Sequence, residues 1–289
     1  MYVVIGANGR VGGHTARALI DIGAKVRVLV RREEQAEQWR VRGAEAAVTT
    51  IEDHGGLVAA LRGATGAFLL SPPPVSGDPY RRAEEIGSAL AAAVQAAALP
   101  RVVALSSIGA QHGSGTGVIA TLNTLERHLA ATAPSVTFLR PGYFVETWSE
   151  VAEAVVKDGA LPSFLDPSQR IPMVSAADVG RMAARLLLED VAGTRAVELR
   201  GPEDWSAGDV ADAFARVLSR PVQPVFVPAA DRPAVLQASG VPTEVADALL
   251  GMYDGLGSGR VEREQGVEQR RGEVGLVDAI RTMMTVQAH

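Results

Sequence analysis

The sequence predicts an α/β fold with a doubly wound parallel sheet, and two patterns along the chain lead to this prediction. Short apolar runs of strand length alternate with amphipathic stretches of helical length through the first half of the chain. The first of these runs, residues 2–5, leads directly into a glycine-rich turn that opens a helix. Strands that alternate with helices form parallel sheets, because each helix returns the chain to the edge from which the next strand starts.

The glycine-rich turn has the spacing of a dinucleotide-binding loop. It reads Gly6-Ala7-Asn8-Gly9-Arg10-Val11-Gly12. Gly6 permits a tight turn, Gly9 lets the backbone approach a phosphate, and Gly12 allows the helix to pack closely on the strand. Free amide groups at the start of the helix then face the anion. Glycines also mark ordinary turns, but the position of this one at the first strand–helix junction favours nucleotide binding.

The second strand, Lys25–Val30, ends in two arginines at the place where the adenosine ribose is recognised. In dinucleotide-binding folds an acidic residue about 20 residues after the glycines binds the ribose hydroxyls of NAD. Here the chain has Arg31 and Arg32 instead. Guanidinium groups pair with a 2′-phosphate through charge-assisted hydrogen bonds, so NADP is favoured over NAD. The alternative is a solvated loop in which Glu33 and Glu34 neutralise the arginines.

Four further strands and the helices between them complete the predicted sheet. The strands are Glu45–Thr50, Ala67–Leu70, Arg101–Leu105 and Val136–Arg140. Helices are expected at Leu57–Leu61, at Arg81–Ala97 and along the stretch that carries Val118, Leu122, Leu125 and Leu129. The fourth strand is followed by Ser71-Pro72-Pro73-Pro74, and three prolines cannot continue a sheet ladder. The chain therefore leaves the sheet at a carboxyl end, where this architecture places cofactor and substrate.

Beyond residue 145 the pattern becomes less regular. Helix N-caps are expected there at Ser175 and Ser206. Short strands are expected at Ala196–Leu199 and Val222–Val227, and further helices at Thr243–Tyr253 and Leu276–Met284. We therefore divide the chain into a nucleotide-binding domain, residues 1–145, and a smaller C-terminal lobe, residues 146–289. We expect the lobe to bind mainly substrate and some of its elements to return to the main sheet.

The composition limits the partners that the chain can have. A formal net charge of −5 gives no electrostatic reason to expect nucleic acid. There is no cysteine, and His54, His128 and His289 are scattered, so no metal site is expected. No apolar run reaches the roughly 20 residues that a membrane span needs, and no signal segment precedes the first strand. We expect a cytoplasmic protein with a small-molecule substrate and no membrane partner, either a monomer or a homodimer.

Four motifs in a fixed order give the sequence a family resemblance. They are Val4–Gly12, Leu105–Ala110, Leu139–Glu146 and Val174–Gly180. Together they resemble the NmrA-like branch of the atypical short-chain dehydrogenases/reductases, over nearly the whole chain. The resemblance implies a Rossmann-type sheet that binds NADP(H). Some members of this branch reduce quinones or azo compounds, and others sense the nicotinamide pool.

The resemblance also implies roles for the residues that match the motifs. The pyrophosphate should be wrapped by Gly6, Asn8, Gly9, Arg10 and Val11. Arg31 should meet the 2′-phosphate, Ser71 and Pro72 should line the ribose side, and Ser106 and Ser107 should lie at the tip of the fifth strand. The nicotinamide end should be bordered by Pro141, Gly142, Tyr143 and Phe144. One departure is Thr49-Thr50-Ile51, where relatives often carry a Gly-Asp pair that holds the adenine.

The catalytic pair of the wider superfamily is missing from the sequence. Ordinary members use a tyrosine and a lysine four residues later, on one helical face, where the ammonium lowers the pKa of the phenol. None of the four tyrosines has a lysine at that spacing; they are Tyr2, Tyr80, Tyr143 and Tyr253. The candidate polar groups near the nicotinamide are Tyr143, Ser107 and His112. Tyr143 is also typical of a packing aromatic, and His112 of an exposed loop residue.

The missing pair narrows the chemistry that we predict. Hydride transfer to a conjugated acceptor needs orientation and charge stabilisation more than a dedicated acid. We therefore predict an NADPH-dependent oxidoreductase that reduces a quinone-like or other conjugated small molecule without the tyrosine–lysine pair. Two alternatives stay open. One is a regulator that binds NADP(H) and transmits its redox state to a protein partner, and the other is an isomerase or cyclase on the same fold.

Overall fold

The computed structural model describes residues 1–287, so His289 lies outside the described residues. The strands, in chain order, are β1 (Tyr2–Ile5), β2 (Val26–Val30), β3 (Glu45–Val48), β4 (Gly66–Leu69), β5 (Arg101–Leu105), β6 (Ser135–Pro141), β7 (Tyr143–Phe144), β8 (Ala160–Ser163), β9 (Ile171–Val174), β10 (Gly193–Arg200), β11 (Asp204–Trp205), β12 (Gln223–Phe226) and β13 (Glu268–Arg271).

Helices connect most of these strands. They are α1 (Arg10–Asp21), α2 (Glu33–Val41), α3 (His54–Leu61), α4 (Pro79–Ala96), α5 (Ala120–Leu129), α6 (Ala152–Asp158), α7 (Ala176–Leu188), α8 (Ala207–Leu218), α9 (Arg232–Ala238), α10 (Thr243–Gly257) and α11 (Leu276–Gln287). Short 3-10 helices cover Gly117–Ile119 and Val145–Val151. Within residues 1–287, none of the helices combines the length and the apolar composition that crossing a membrane requires.

The strands form one large sheet with the order β13-β10-β6-β5-β4-β1-β2-β3. Every neighbouring pair in it is parallel. The chain runs outward from β1 through β2 and β3, then crosses to the other side of β1 and continues through β4, β5 and β6. The predicted doubly wound α/β fold is therefore confirmed. Its reversal of direction beside β1 is the switch point at which open α/β sheets bind ligands, outside the carboxyl ends of the strands.

Apolar cores cover both faces of this sheet. On one face α1, α2 and α7 pack around residues such as Leu19. On the other face α3, α4 and α5 pack around residues such as Leu90. Strand β1 contributes to both, because Val4 belongs to the first core while Val3 and Ile5 belong to the second. This is the two-residue period of a strand that is buried on both sides.

The chain after residue 145 builds a third core outside the large sheet. Its members come from the second 3-10 helix, from α6, α8, α10 and α11, and from two small sheets with the orders β11-β9-β7 and β12-β8. Two strands of the same part of the chain, β10 and β13, nevertheless join the large sheet, and α7 covers one of its faces. The C-terminal part therefore completes the sheet as well as forming a lobe of its own.

Helices α1 and α7 lie unusually close together. A Cβ atom added to Gly180 would lie 2.3 Å from the Cβ of His14 and 2.8 Å from the backbone nitrogen of Thr15. A side chain at this position would force the two helices apart. Burial, followed by the positive charges of Arg17 and Arg181, lowers the pKa of His14, so that this histidine is neutral near pH 7.

Two carboxylates hold segments of the C-terminal part together. Glu146 accepts hydrogen bonds from the N–H of Ala176 at 2.9 Å and from the hydroxyl of Ser175 at 3.0 Å, at the start of α7. Asp178 accepts hydrogen bonds from the backbone N–H groups of residues 273 and 274 at 3.0 and 2.9 Å. Carboxylates at a helix N-terminus satisfy free amide groups and interact favourably with the helix dipole. The acidic residue of each of the two motifs beyond residue 138 therefore has a structural role in this chain.

Some elements differ from what the sequence predicts. Helix α2 follows Arg31 and Arg32 at once, where the alternative interpretation had a loop. The expected strand at Ala196–Leu199 is the longer β10 of the large sheet, and the one at Val222–Val227 is β12 of a small sheet. Strand β13 was not predicted at all. Its sequence, Glu-Gln-Arg-Arg, has no apolar alternation, and it forms because β10 offers a free edge.

Candidate functional site

The residues that the sequence singles out lie along the carboxyl edge of the large sheet. The turn Gly6–Gly12 follows β1, Arg31 follows β2, Ser71 comes just after β4, Ser106 follows β5, and Gly142 follows β6. Strand β1 has β2 on one side and β4, β5 and β6 on the other. With neighbouring strands about 4.8 Å apart, these strand ends form a row roughly 19 Å long. The row crosses the switch point of the sheet.

The turn after β1 requires glycine at several positions. Gly6 has a φ of +74°, and a Cβ there would lie 2.8 Å from the Leu70 side chain. A Cβ on Gly12 would lie 2.3 Å from the carbonyl oxygen of Gly6, so the helix starts in direct contact with the turn. The N–H of Gly9 donates to that same oxygen at 2.8 Å and closes the turn. The exposed side of the turn at Gly9 is free of side-chain bulk, and a phosphate can approach the backbone there.

The amide groups at the start of α1 have no side-chain cap. The N-cap residue of this helix, Gly9, offers no side-chain cap, and the first turn contains no acidic residue. Helices α3, α4, α7 and α8, in contrast, are capped by their own side chains, those of Asp53, Asp78, Ser175 and Ser206. An uncapped start leaves amide groups and the positive end of the helix dipole available to an anion. The turn and the helix start together fit the pyrophosphate of a dinucleotide.

A buried tryptophan holds the asparagine of the turn. The indole N–H of Trp39, on α2, donates to Oδ1 of Asn8 at 2.8 Å, and the Trp39 side chain is almost fully buried. The bond fixes the orientation of the Asn8 amide, whose residue is otherwise exposed. Sequence reasoning missed Trp39, because α2 was not predicted. A tryptophan among charged residues was the one signal that could have indicated a buried face.

The two arginines after β2 have different surroundings. Arg32 lies 3.8 Å from Glu34, with both side chains mostly exposed. Glu33 instead forms an ion pair with Arg40 on α2. Arg31 is exposed and has no ion-pair partner among residues 1–287. The neutralisation that the alternative interpretation expects therefore applies to Arg32 alone.

The ends of β3 and β4 border the same edge. Strand β4 ends at Leu69, and Ser71 is half-buried while Pro72 is exposed in the loop that leaves the sheet. At the end of β3, the hydroxyl of Thr49 donates to Oδ2 of Asp53 at 3.0 Å. This hydroxyl–carboxylate pair holds the segment Thr49-Thr50-Ile51 against the start of α3.

Ser106 belongs to a buried ionic network. Its hydroxyl donates to Glu126 at 2.6 Å, and Arg140 donates to both oxygens of the same carboxylate at 2.8 and 2.6 Å. Arg140 also pairs with Glu264 from the C-terminal part. Burial opposes the charge of Arg140, but its hydrogen bonds to Glu126 and Glu264 outweigh burial and raise the pKa of the guanidinium. The Ser106 hydroxyl thus donates to a buried carboxylate, and its cofactor contact stays a prediction.

The other two candidates near the end of β5 are less constrained. The hydroxyl of Ser107 donates to the carbonyl oxygen of Ile108 at 2.9 Å. His112 is half-buried in the loop that follows. The side chain of its neighbour Gln111 donates to the carbonyl oxygen of Glu262 at 3.0 Å, which ties this loop to the C-terminal part.

Tyr143 lies directly after Gly142 and meets a second tyrosine. Its hydroxyl oxygen is 3.1 Å from that of Tyr253 on α10, and its ring centroid is 6.0 Å from that of Trp148. Burial, followed by the neighbouring phenol, raises the pKa of Tyr143 well above its ordinary value, and burial also raises the pKa of Tyr253. Both phenols are therefore protonated near neutral pH and can donate hydrogen bonds. Sequence reasoning did not connect the two, because 110 residues separate them.

The edge as a whole combines two kinds of chemistry. One end of the row offers an anion-binding turn and an exposed guanidinium, and the other end offers two neutral phenols. Among residues 1–287 there is no group of three or more acidic or histidine side chains that could hold a metal ion. The arrangement suits the binding of a phosphate-rich cofactor beside hydrogen-bond donors.

Comparisons with known proteins agree with this description. A sequence profile of the NmrA-like family matches residues 2–278. The chain is 25% identical over 253 residues to the NAD(P)H azoreductase of Xenophilus azovorans, which covers 88% of this chain and 86% of that protein. It is 30% identical over 225 residues to the (4-alkanoyl-5-oxo-2,5-dihydrofuran-3-yl)methyl phosphate reductase of Streptomyces griseus, covering 77% and 76% of the two chains.

A solved structure shows that the fold is shared. The NADPH-dependent quinone oxidoreductase of Escherichia coli, in complex with NADPH, superposes with a TM-score of 0.82 at 22% identity. The superposition covers 98% of this chain and all of the other.

Replacing Glu126 by glutamine should destabilise the protein strongly. The substitution keeps the volume of the side chain but leaves Arg140 buried without its principal carboxylate, which typically costs about 3–5 kcal/mol. Urea unfolding measures the loss. Glu33→Gln, in the exposed pair with Arg40, is the matched control and should cost at most about 1 kcal/mol. Losses of similar size for both variants would contradict the importance of the buried network.

Proposed function

The chain belongs to the NmrA-like family, and from that premise we propose that it is an NADP(H)-dependent oxidoreductase that reduces a quinone-like or other conjugated small molecule. The observation that carries the proposal is the glycine turn with its uncapped helix start, which lies one strand away from Arg31, an arginine with no ion-pair partner among the described residues. Two relatives, at 25% and 30% identity, are reductases by name, and one of them uses NAD(P)H.

In this proposal the cofactor lies along the carboxyl edge of the sheet. The amide groups of residues 10–12 bind the pyrophosphate, and the guanidinium of Arg31 binds the 2′-phosphate. Trp39 keeps the Asn8 amide in place beside the pyrophosphate. The ribose side is lined by Ser71 and Pro72. When bound, the cofactor supplies the hydride, and the protein supplies its orientation.

The acceptor binds between the end of β6 and the C-terminal lobe. Aromatic side chains there, those of Tyr143, Trp148, Phe164 and Tyr253, pack on one another with centroid distances of 5.1 to 6.5 Å. Such rings suit the flat face of a conjugated molecule. A conjugated acceptor also delocalises the charge that hydride transfer creates. The reaction therefore proceeds without the tyrosine–lysine pair that the sequence lacks.

Turnover with NADPH tests the proposal directly. The purified protein should oxidise NADPH in the presence of at least some members of a panel of quinones and azo dyes, and more slowly without them. The absorbance of the reduced nicotinamide measures the rate. Tight NADPH binding without turnover on any acceptor would refute the proposed enzymatic activity. It would favour the redox-sensing regulator, a function that also needs no tyrosine–lysine pair.

Replacing Arg31 by alanine should weaken NADPH binding about 10- to 100-fold, because a charge-assisted hydrogen bond contributes roughly 1.5–3 kcal/mol. NADH lacks the 2′-phosphate, so its affinity should hardly change. Calorimetric titration with both cofactors measures the difference. Arg62→Ala, at an exposed arginine after α3, serves as the control and should alter neither affinity. Equal weakening of NADPH and NADH binding in Arg31→Ala would disprove the role of Arg31.

A further inference from the structure

The position of Tyr143 is fixed by backbone contacts. A Cβ on the preceding residue, Gly142, would lie 2.4 Å from the carbonyl oxygen of Pro172 in β9. The N–H of Gly142 donates to the carbonyl oxygen of Leu199 in β10 at 2.9 Å. Strand β7, which contains Tyr143, pairs in parallel with β9. The phenol is therefore held between the large sheet and the small one.

The position of Tyr253 is fixed by a close approach of α10 to the loop after β5. A Cβ on Gly117 would lie 2.1 Å from the carbonyl oxygen of Ala248 and 2.2 Å from the backbone nitrogen of Met252. Helix α10 thus rests on the backbone of the main body one residue before Tyr253. The ring of Phe164 packs edge-on against Tyr253, with centroids 5.1 Å apart. The two hydroxyls therefore meet through rigid packing of their elements.

The pair of phenols also lies near the glycine turn. Arg10, the first residue of α1, donates to the hydroxyl of Ser149 at 3.0 Å. The next residue, Glu150, interacts electrostatically with Arg10 and with both phenols. Ser149 and Glu150 therefore link the start of α1 to the two tyrosines.

A count of protons shows what each direction of the hydrogen bond between the two phenols leaves free. The two hydroxyls carry two protons, and their mutual hydrogen bond uses one of them. If Tyr253 donates to Tyr143, the proton of Tyr143 is left to donate to a third atom, whereas the opposite direction leaves the proton of Tyr253. Both phenols carry their protons at neutral pH, since burial raises a pKa that is already well above neutral, so either hydroxyl can donate there.

We propose that Tyr253 is a positioning residue, which donates to Tyr143 so that the Tyr143 hydroxyl donates to the carbonyl-type oxygen of the acceptor. This inference rests on the proposed function and adds that the acceptor is a quinone or conjugated ketone. Hydride from the reduced nicotinamide adds to a carbon of the acceptor, and the C=O π pair moves onto the oxygen. Tyr143 stabilises the oxyanion, which then takes a proton from water. The acceptor gains two electrons and the nicotinamide is oxidised.

Consecutive hydrogen bonds polarise one another, so the Tyr253 hydroxyl makes the Tyr143 hydroxyl a stronger donor without touching the acceptor.

The double-mutant cycle of the two tyrosines tests this inference, with kcat and KM measured for NADPH and a series of substituted benzoquinones. Tyr143→Phe should lower kcat about 100-fold, the typical loss for one oxyanion donor. Tyr253→Phe should lower kcat roughly 2- to 10-fold, the worth of one neutral hydrogen bond, with little change in KM. The double variant should be no slower than Tyr143→Phe alone, since Tyr253 acts through Tyr143.

Tyr2→Phe is the control. Tyr2 is the first residue of β1, at the amino end of the strand, whereas the candidate site lies at the carboxyl ends. This variant should have the same kcat and KM as the wild type. Thermal unfolding midpoints of all variants show whether a loss of rate is structural. Additive losses, or a Tyr253→Phe variant as fast as the wild type, would overturn the inference and leave the proposed function intact. A wild type that reduces no quinone would overturn both.

A second measurement covers the case in which Tyr253→Phe does not fold. The loss of rate in Tyr143→Phe should then grow with the basicity of the quinone oxygen that becomes negative, since a hydrogen bond to it strengthens with its charge. A loss that is constant across the series would overturn the inference.

Discussion

The contact between the turn after β1 and the start of α1 is the constraint on which the candidate site depends. The carbonyl oxygen of Gly6 receives the N–H of Gly9, and it leaves no room for a side chain on Gly12. The helix can therefore begin directly above the end of β1, with its first amide groups uncapped. Any larger residue would tilt the helix away and remove the anion-binding geometry. The close packing of α1 on α7 at Gly180 secures the other side of the same helix.

The C-terminal part of the chain is coupled to this edge by polar contacts. Arg10 reaches Ser149, Glu146 caps α7, and Arg140 joins Glu126 in the sheet to Glu264 in the C-terminal part. The contacts of Arg10 and Arg140 link the first part of the chain to segments beyond residue 145, and the contact of Glu146 joins two of those segments to each other. The phenols at the far end of the row are placed by the same arrangement. The site therefore depends on both parts of the chain, although the cofactor motifs lie in the first.

Much of the fold could be predicted because its signals are local. Apolar strands buried on both faces and a glycine turn at a strand–helix junction are visible in short stretches of sequence. Helix α2 escaped prediction because only Ala36 and Trp39 are buried in it. Strand β13 escaped because pairing, and not its hydrophilic sequence, makes it a strand. The pairing of Tyr143 with Tyr253 depends on the packing of α10 on Gly117, and no local pattern encodes a contact of that kind.

The central claim is that one dinucleotide lies along the carboxyl edge, from Arg31 to Tyr143. A crystal structure of the protein grown with NADP⁺ tests it most directly. We expect the pyrophosphate at the amide groups of residues 10–12, the 2′-phosphate within hydrogen-bond distance of the Arg31 guanidinium, and the nicotinamide end beside Tyr143. A dinucleotide bound in the reverse direction, or with its 2′-phosphate away from Arg31, would contradict it.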